Sequence, residues 1–208
     1  MGVFKDGRRE QGFTLVEMLI VIVIIGILGG IAVTTWQGFL DRQRLVQSSD
    51  RLFRTLKSTR ETAKHRHVAW QVSIRQGASR VEFAAHPADP DDATLMAIWD
   101  DPQQWEQLAP GVKIDLANDQ GKNETTIANQ NINNETLWRF LFNHQGCPVR
   151  HIHNSCTDVV ELGRLGLRSE SGGDGPQVLR RCILLSTVLG TMRQGRGHVR
   201  LDSGYYCH

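Results

Sequence analysis

The chain has 208 residues, with 24 Lys and Arg against 22 Asp and Glu, and a formal net charge of +2 at pH 7. That length leaves room for one tail and one domain of ordinary size, and a balance this near neutral gives no case for a chain-wide basic or acidic partner. The charge is unevenly placed: residues 40–68 hold eight Lys or Arg against three acids, and residues 86–135 hold two against ten, which by default means two solvated surfaces of opposite sign.

The opening segment, Met1 to Gly12, carries Lys5, Arg8 and Arg9 with Asp6 and Glu10, and is too short to fold. Gly12-Phe13-Thr14-Leu15-Val16-Glu17 follows, and then an apolar run to Val33. The 21 residues from Phe13 to Val33 contain a single ionisable side chain, Glu17. At about 1.5 Å per residue this run spans a bilayer core of roughly 30 Å, so the sequence predicts a membrane-crossing helix. A carboxylate near its start costs about 2.5 kcal/mol or more at the bilayer centre, less near the interface, and so calls for a partner. An uncleaved signal anchor leaves Glu17 without one. A secretory signal removed after the run would need a small-residue cleavage site, which Gly29-Gly30-Ile31-Ala32 supplies poorly. Basic residues flank both ends, Arg42 and Arg44 beyond the run, so charge counting does not fix the orientation.

Those residues resemble the class III signal of type IV prepilins and type II secretion pseudopilins: a short charged leader ending in Gly, then Phe-Thr-Leu-x-Glu and an unbroken apolar run. The resemblance implies that a prepilin peptidase cuts after Gly12 and that Phe13 becomes the methylated first residue. It implies that Glu17 meets the terminal amine of a neighbouring subunit during assembly. An amine and a carboxylate that neutralise each other in lipid relieve a desolvation cost that neither could carry alone. The implied partners are other pilin or pseudopilin subunits, an inner-membrane assembly platform and the peptidase. The implied topology is a single pass through a bacterial inner membrane, leader inside and globular domain in the periplasm. No cofactor is implied.

Beyond Val33 no proline occurs before Pro87. Trp36, Phe39, Leu40, Leu45, Val46, Leu52, Phe53, Leu56 and Ala63 recur at helical spacing among basic residues, which predicts one helix from about Phe13 to about His67 whose outer half packs an apolar stripe on its own domain. Trp70, Val72 and Ile74, then Val81, Phe83 and Ala85, alternate on either side of Gln76-Gly77-Ala78-Ser79, which reads as a hairpin. A breaker-rich loop, His86 to Asp92, leads to a short amphipathic piece from Thr94 to Leu108. The segment from Trp105 through Ala109-Pro110-Gly111 to Ile114 is similar to the tryptophan, turn and strand of H-type pseudopilins and FimT/FimU-type minor pilins, as are the strands Leu137–Phe142 and Arg181–Ser186. The Asn- and Gln-rich stretch from Asn118 to Glu135 reads as a surface loop. The expected organisation is a cleaved leader (1–12), a membrane and assembly helix (13–33), its amphipathic continuation (34–68) and a β-rich domain (69–208). The expected fold is α+β, the long helix packed on an antiparallel sheet as in pilins.

Cys147, Cys156, Cys182 and Cys207 lie in the part expected outside the cytoplasm, where an even count favours disulfides. Four cysteines allow three pairings. We favour Cys147 with Cys156 as a local loop and Cys182 with Cys207 as a clamp on a C-terminus that would otherwise fray. Cys147, His151, His153 and Cys156 form an alternative zinc set by ligand type, at a spacing that matches no standard finger, and we expect no metal. No Ser-His-Asp, paired-carboxylate or phosphate-loop signature stands out, and no enzyme is expected. The run from Gly190 to Arg200 has a second reading. FimT-type minor pilins that capture DNA carry a Gly-Arg-x-Arg element on a loop near this place, which makes Arg193, Arg196 and Arg200 candidate DNA contacts. Here Thr191 stands where the first arginine would be if Arg193 were the second; alternatively Gly195-Arg196-Gly197-His198 matches the first half of the element. Arg180 to His208 holds five arginines and one acid, Asp202, a balance that attracts phosphates.

Overall fold

The computed structural model describes residues 13–77, 79–116, 121–158, 160–172, 175 and 177–208, and, for residues 31–35, the backbone alone. It is an α+β fold in which an N-terminal helix is packed against antiparallel β-sheets. Helix α1 runs from Leu15 to Arg66. It starts where the Thr14 hydroxyl accepts the Glu17 backbone N–H at 3.2 Å, an N-cap contact. It ends with Lys64, His65 and Arg66 in the last turn, positive charge against the negative end of the helix dipole. His67 then turns the chain with a φ of 54°.

The chain divides into two units, residues 1–40 and 41–208. In the first, every apolar side chain from Phe13 to Leu28 is exposed, Leu15 by 81%. Among the described residues no helix is long and apolar enough to cross a membrane. The apolar run leaves the described side chains at residue 31.

In the second unit α1 behaves differently. Leu45, Leu52, Leu56 and Ala63 are buried, spaced so that they fall on one helical face, and they join the main core. One sheet has the order β3-β2-β1-β6-β5, its strands being β1 (Trp70–Gln76), β2 (Val81–Pro87), β3 (Glu106–Gln107), β5 (Asn129–Ile132) and β6 (Glu135–Phe142). The other has the order β10-β9-β8-β7-β4, from β4 (Val112–Ile114), β7 (Gly163–Ser169), β8 (Arg180–Leu185), β9 (Met192–Asp202) and β10 (Tyr205–Cys207). Val72, Ile74, Phe83, Phe140 and Phe142 from the first sheet and Leu165, Leu167, Ile183 and Leu185 from the second close over the helix stripe. Each fully buried aliphatic or aromatic side chain of this kind contributes about 1.5–3 kcal/mol.

The outer face of the first sheet has its own cover. The piece expected to be amphipathic from Thr94 to Leu108 is helical only over α2 (Ala93–Ile98), because Asp100, Asp101 and Pro102 break it. Trp105 folds back, donating its indole N–H to the Ile98 carbonyl at 2.9 Å and meeting Trp99 edge to face at 6.0 Å. The Arg75 guanidinium lies over both rings, 4.1 Å from Trp105 and 4.9 Å from Trp99, a cation–π arrangement.

The stretch expected as a surface loop, Asn118 to Glu135, is corrected in two ways. Asn129–Ile132 form β5 and pair with β6. Glu124, fully buried, accepts the Tyr206 backbone N–H at 2.7 Å and the Cys207 N–H at 3.4 Å, with the Arg164 guanidinium 3.9 Å away. Beside it Arg180 and Asp115, each 1% exposed, pair at 2.7 Å. Burial pushes the Asp115 carboxyl up, and Arg180 pulls it back down. Polar composition concealed an interior role because these charges are paired and hydrogen-bonded rather than solvated.

Candidate functional site

At the start of α1 the structure describes Phe13 and Glu17; Gly12 and the rest of the leader lie outside the described residues. Phe13 is 71% exposed. Glu17 occupies the third helical position after the Thr14 cap, so its carboxylate sits in the first turn, where the helix dipole favours negative charge. The Thr14-x-x-Glu17 spacing was the available sign of a second, local reason for an acid there.

The cysteines form two bridges, Cys147–Cys156 and Cys182–Cys207. The first lies with Ala88, Leu141 and Val149 in a small apolar cluster, and the second ties β10 to β8. The sulfurs of the alternative zinc set are therefore joined to each other. Among the described residues no group of three or more His, Cys, Asp or Glu side chains converges as a metal site. His151 and His153 instead line a cleft of about 140 Å³ with Asp89, Asp92 and Arg139.

The arginines near the C-terminus do not lie on a loop. Arg193, Arg196 and Arg200 all belong to β9, and all three are exposed. Successive strand residues face opposite ways, and the register with β8 puts Arg193 opposite Leu184 but Arg196 opposite Arg181. Arg193 and Arg196 therefore point from opposite faces, and Arg200 lies beyond the last β9 residue that pairs with β8. The Arg196 face is the one turned toward α1: Ile183, Leu185 and Met192 on it belong to the core, and Gln194 donates to Asp50 at 2.8 Å. Further along the same face, Arg181 and Arg196 meet Arg42 of α1 around a cleft of about 250 Å³. Sequence reasoning missed Arg42 and Arg181, whose proximity to Arg196 follows only from the register.

The glycines flanking Arg196 have a packing reason. A Cβ at Gly195 would stand 2.7 Å from the Cys182 sulfur, and one at Gly197 2.7 Å from the Arg180 Cβ. Only glycine lets β9 lie this close to the disulfide and to the buried arginine.

A second polar cluster is closed to solvent. His86 Nδ1 lies 2.8 Å from the Pro87 carbonyl, and its Nε2 is 2.9 Å from the Ser73 hydroxyl and 3.3 Å from the Gln71 amide. The carbonyl can only accept, so Nδ1 carries the proton and Nε2 receives the Ser73 O–H. Burial holds His86 below the ordinary histidine range. Ser73 is fully buried, so this serine and histidine pair is a core contact, not a nucleophile facing a substrate.

Residues 7–33 match the model of the prokaryotic N-terminal methylation motif. The chain carries a type IV pilin signal. The motif makes it type IV pilin- or pseudopilin-like, in keeping with the helix-on-sheet fold, and the proteins that share this signal are structural subunits. The signal suggests membrane anchoring, assembly with other pilin subunits and processing by prepilin peptidase. A protein of Chlamydia trachomatis serovar D described as "Putative outer membrane protein" is 41% identical over 44 residues, 21% of this chain and 36% of that protein. The chain thus spans about a third of the length of this relative. No solved structure matches the chain.

Proposed function

We propose that this protein is a minor pseudopilin or minor pilin, a structural subunit of a type II secretion pseudopilus or type IV pilus, placed at or near the fibre tip. The peptidase cuts between Gly12 and Phe13 and methylates Phe13. The subunit then waits as a single-pass protein of the inner membrane, leader in the cytoplasm and β-rich domain in the periplasm, until the assembly platform adds it to the fibre. Glu17 takes the terminal amine of a neighbouring subunit, and residues 13–33 bury their apolar surface against other helices, while residues 34–68 carry the domain of residues 69–208.

The observation that carries this reading is the uniform exposure of the apolar side chains from Phe13 to Leu28 within a chain bearing the methylation signal. An apolar surface of this kind has no place in water and marks a membrane or protein interaction site. Glu17→Ala tests the assembly step: the variant should be membrane-inserted and processed but absent from sheared fibres. Normal incorporation would remove the role of Glu17. Gly12→Leu should leave a precursor heavier by the twelve-residue leader on a mass spectrum, and an unchanged mature mass would defeat the cleavage site.

A second reading, in which the same subunit captures DNA for natural transformation, is favoured by the exposure of Arg193, Arg196 and Arg200 on one strand. Its test is salt-sensitive retention of DNA by the full chain, which replacement of the three arginines should abolish.

A further inference from the structure

Four arginines and no acidic residue line the cleft between α1, β8 and β9; Arg180 is paired with Asp115, which leaves Arg42, Arg181 and Arg196. Arg181 and Arg196 are directly opposed across the β8–β9 ladder, a placement in which like charges destabilise the pair. Arg42 reaches the same cleft from α1. Among the described residues none of the three guanidinium groups makes a hydrogen bond or ion pair. Several arginines elsewhere in the same unit are matched, among them Arg180 with Asp115, Arg75 with Glu82 and Arg51 with Glu106. Asp50, whose charge reaches Arg181, accepts a hydrogen bond from the Gln194 amide at 2.8 Å. Burial and the neighbouring Arg196 and Arg42 hold Arg181 below the ordinary arginine range, with Asp50 pulling the other way.

We propose that this cleft is a binding site for a phosphate group, with Arg42, Arg181 and Arg196 as its ligands. Guanidinium forks match the oxygens of phosphate in pairs, and three of them converging from two strands and a helix can address several oxygens at once. At about 250 Å³ the cleft lies below the usual size of a drug-sized ligand pocket, so it takes a small anion or the headgroup of a larger molecule. Two sources share this chemistry: free phosphate and an anionic phospholipid. The rim bears on the choice, since Leu179 and Val199 stand exposed beside the arginines, 38% and 61%, where they suit the glycerol and upper acyl carbons of a lipid. Arg42 also lies in the basic stretch that follows the apolar run, and basic residues beside a span attract anionic headgroups. The lipid source rests on the membrane anchoring proposed above; the phosphate site itself does not.

The test uses the full chain in dodecyl maltoside micelles, titrated calorimetrically and by phosphorus NMR. The probes are inorganic phosphate, monomeric dihexanoyl phosphatidylglycerol and a twelve-nucleotide single strand. Saturable one-site binding of the first or second probe is expected, weakened at least tenfold by Arg42→Gln and by Arg196→Gln. Both residues are exposed, so an unchanged circular dichroism melt would show that the fold survives. Tighter binding of the lipid than of phosphate assigns the headgroup, and equal binding assigns the free anion. Arg193→Gln, on the opposite face, should reduce oligonucleotide binding if the DNA reading holds, without altering the phosphate titration. Absence of saturation by both small probes, or indifference of their binding to Arg42→Gln and Arg196→Gln, overturns the site. So does tight oligonucleotide binding through Arg42 and Arg196 with neither small probe saturating. The titration requires no fibre, so its failure and a failure of assembly are read separately.

Discussion

Residues 15–40 and residues 41–66 belong to one helix, yet they meet their surroundings in opposite ways. In the later stretch the buried apolar side chains are Leu45, Leu52, Leu56 and Ala63, while Arg51, Arg54 and Lys57 face out. In the earlier one Leu19, Ile22, Val23 and Ile27 are all exposed, alongside every other apolar side chain from Phe13 to Leu28. A stripe can be satisfied by the chain's own sheets; an all-round apolar surface cannot. The difference separates burial completed by folding from burial that awaits a membrane or other subunits.

The comparison breaks most visibly under large-to-small substitution. Leu56→Ala should lower the unfolding free energy of the β-rich unit by about 2–5 kcal/mol, the usual range for a fully buried leucine. Ile22→Ala should change it by less than about 0.5 kcal/mol while reducing recovery in sheared fibres. Denaturant titration of the full chain in detergent, set beside fibre immunoblots, reads both. Equal stability losses at the two positions would show that the first stretch is also packed by its own chain.

Next in size come the bridges. Cys182 and Cys207 are separated by 25 residues, and replacing both with serine should cost about 2–4 kcal/mol. The Cys147–Cys156 bridge closes a loop of only 9 residues, so Cys147→Ser with Cys156→Ser should cost less, since loop closure in the unfolded chain depends on length. Melting of both double variants under oxidising conditions checks the order, and a larger loss at the shorter loop would point to packing around Cys147.

Which of these features could be read from the sequence depends on whether local pattern and tertiary role coincide. The long helix and the first hairpin are visible because their spacings, near 3.6 and 2, are those their buried faces require. The element at Met192–Asp202 is obscure for the opposite reason: Gly195 and Gly197 look like turn residues, but here they let a strand pass close to a disulfide and a buried arginine. Glu124 is obscure because a charge in a polar run reads as solvated, and only the approach of Tyr206, Cys207 and Arg164 makes it interior. The cleft that gathers Arg42, Arg181 and Arg196 could not be read at all, because sheet register and helix packing bring these residues together.

A smaller effect distinguishes the interior of the β-rich unit from its surface through pH. His86 is held neutral by burial, its folded value lying below the ordinary one of about 6.5. As pH falls below about 6.5 the unfolded chain takes up a proton that the folded chain refuses, so stability declines, with a slope of at most about 1.4 kcal/mol per pH unit. The decline ends below the folded value. Protonation would also set an Nε2 donor against the Gln71 amide, itself a donor. His86→Gln should flatten this part of the stability profile relative to the parent chain, whereas His144→Gln, at an exposed position, should not.

The smallest effect probes the start of the exposed stretch. If the Thr14 hydroxyl caps α1 through the Glu17 N–H, Thr14→Ala should cost the first turn about 1 kcal/mol and Thr14→Ser much less. Hydrogen exchange at residues 15–18 in detergent reads the fraying directly, with the amides of residues 45–56 as an internal control. Because helix nucleation is local and propagation adds one bond per residue, faster exchange confined to the first turn is expected. Unchanged exchange in Thr14→Ala would show that this hydroxyl does not cap the helix. Glu17→Ala keeps the backbone N–H that the cap uses, so the cap is read by exchange in Thr14→Ala and the carboxylate's role toward a partner by fibre recovery of Glu17→Ala.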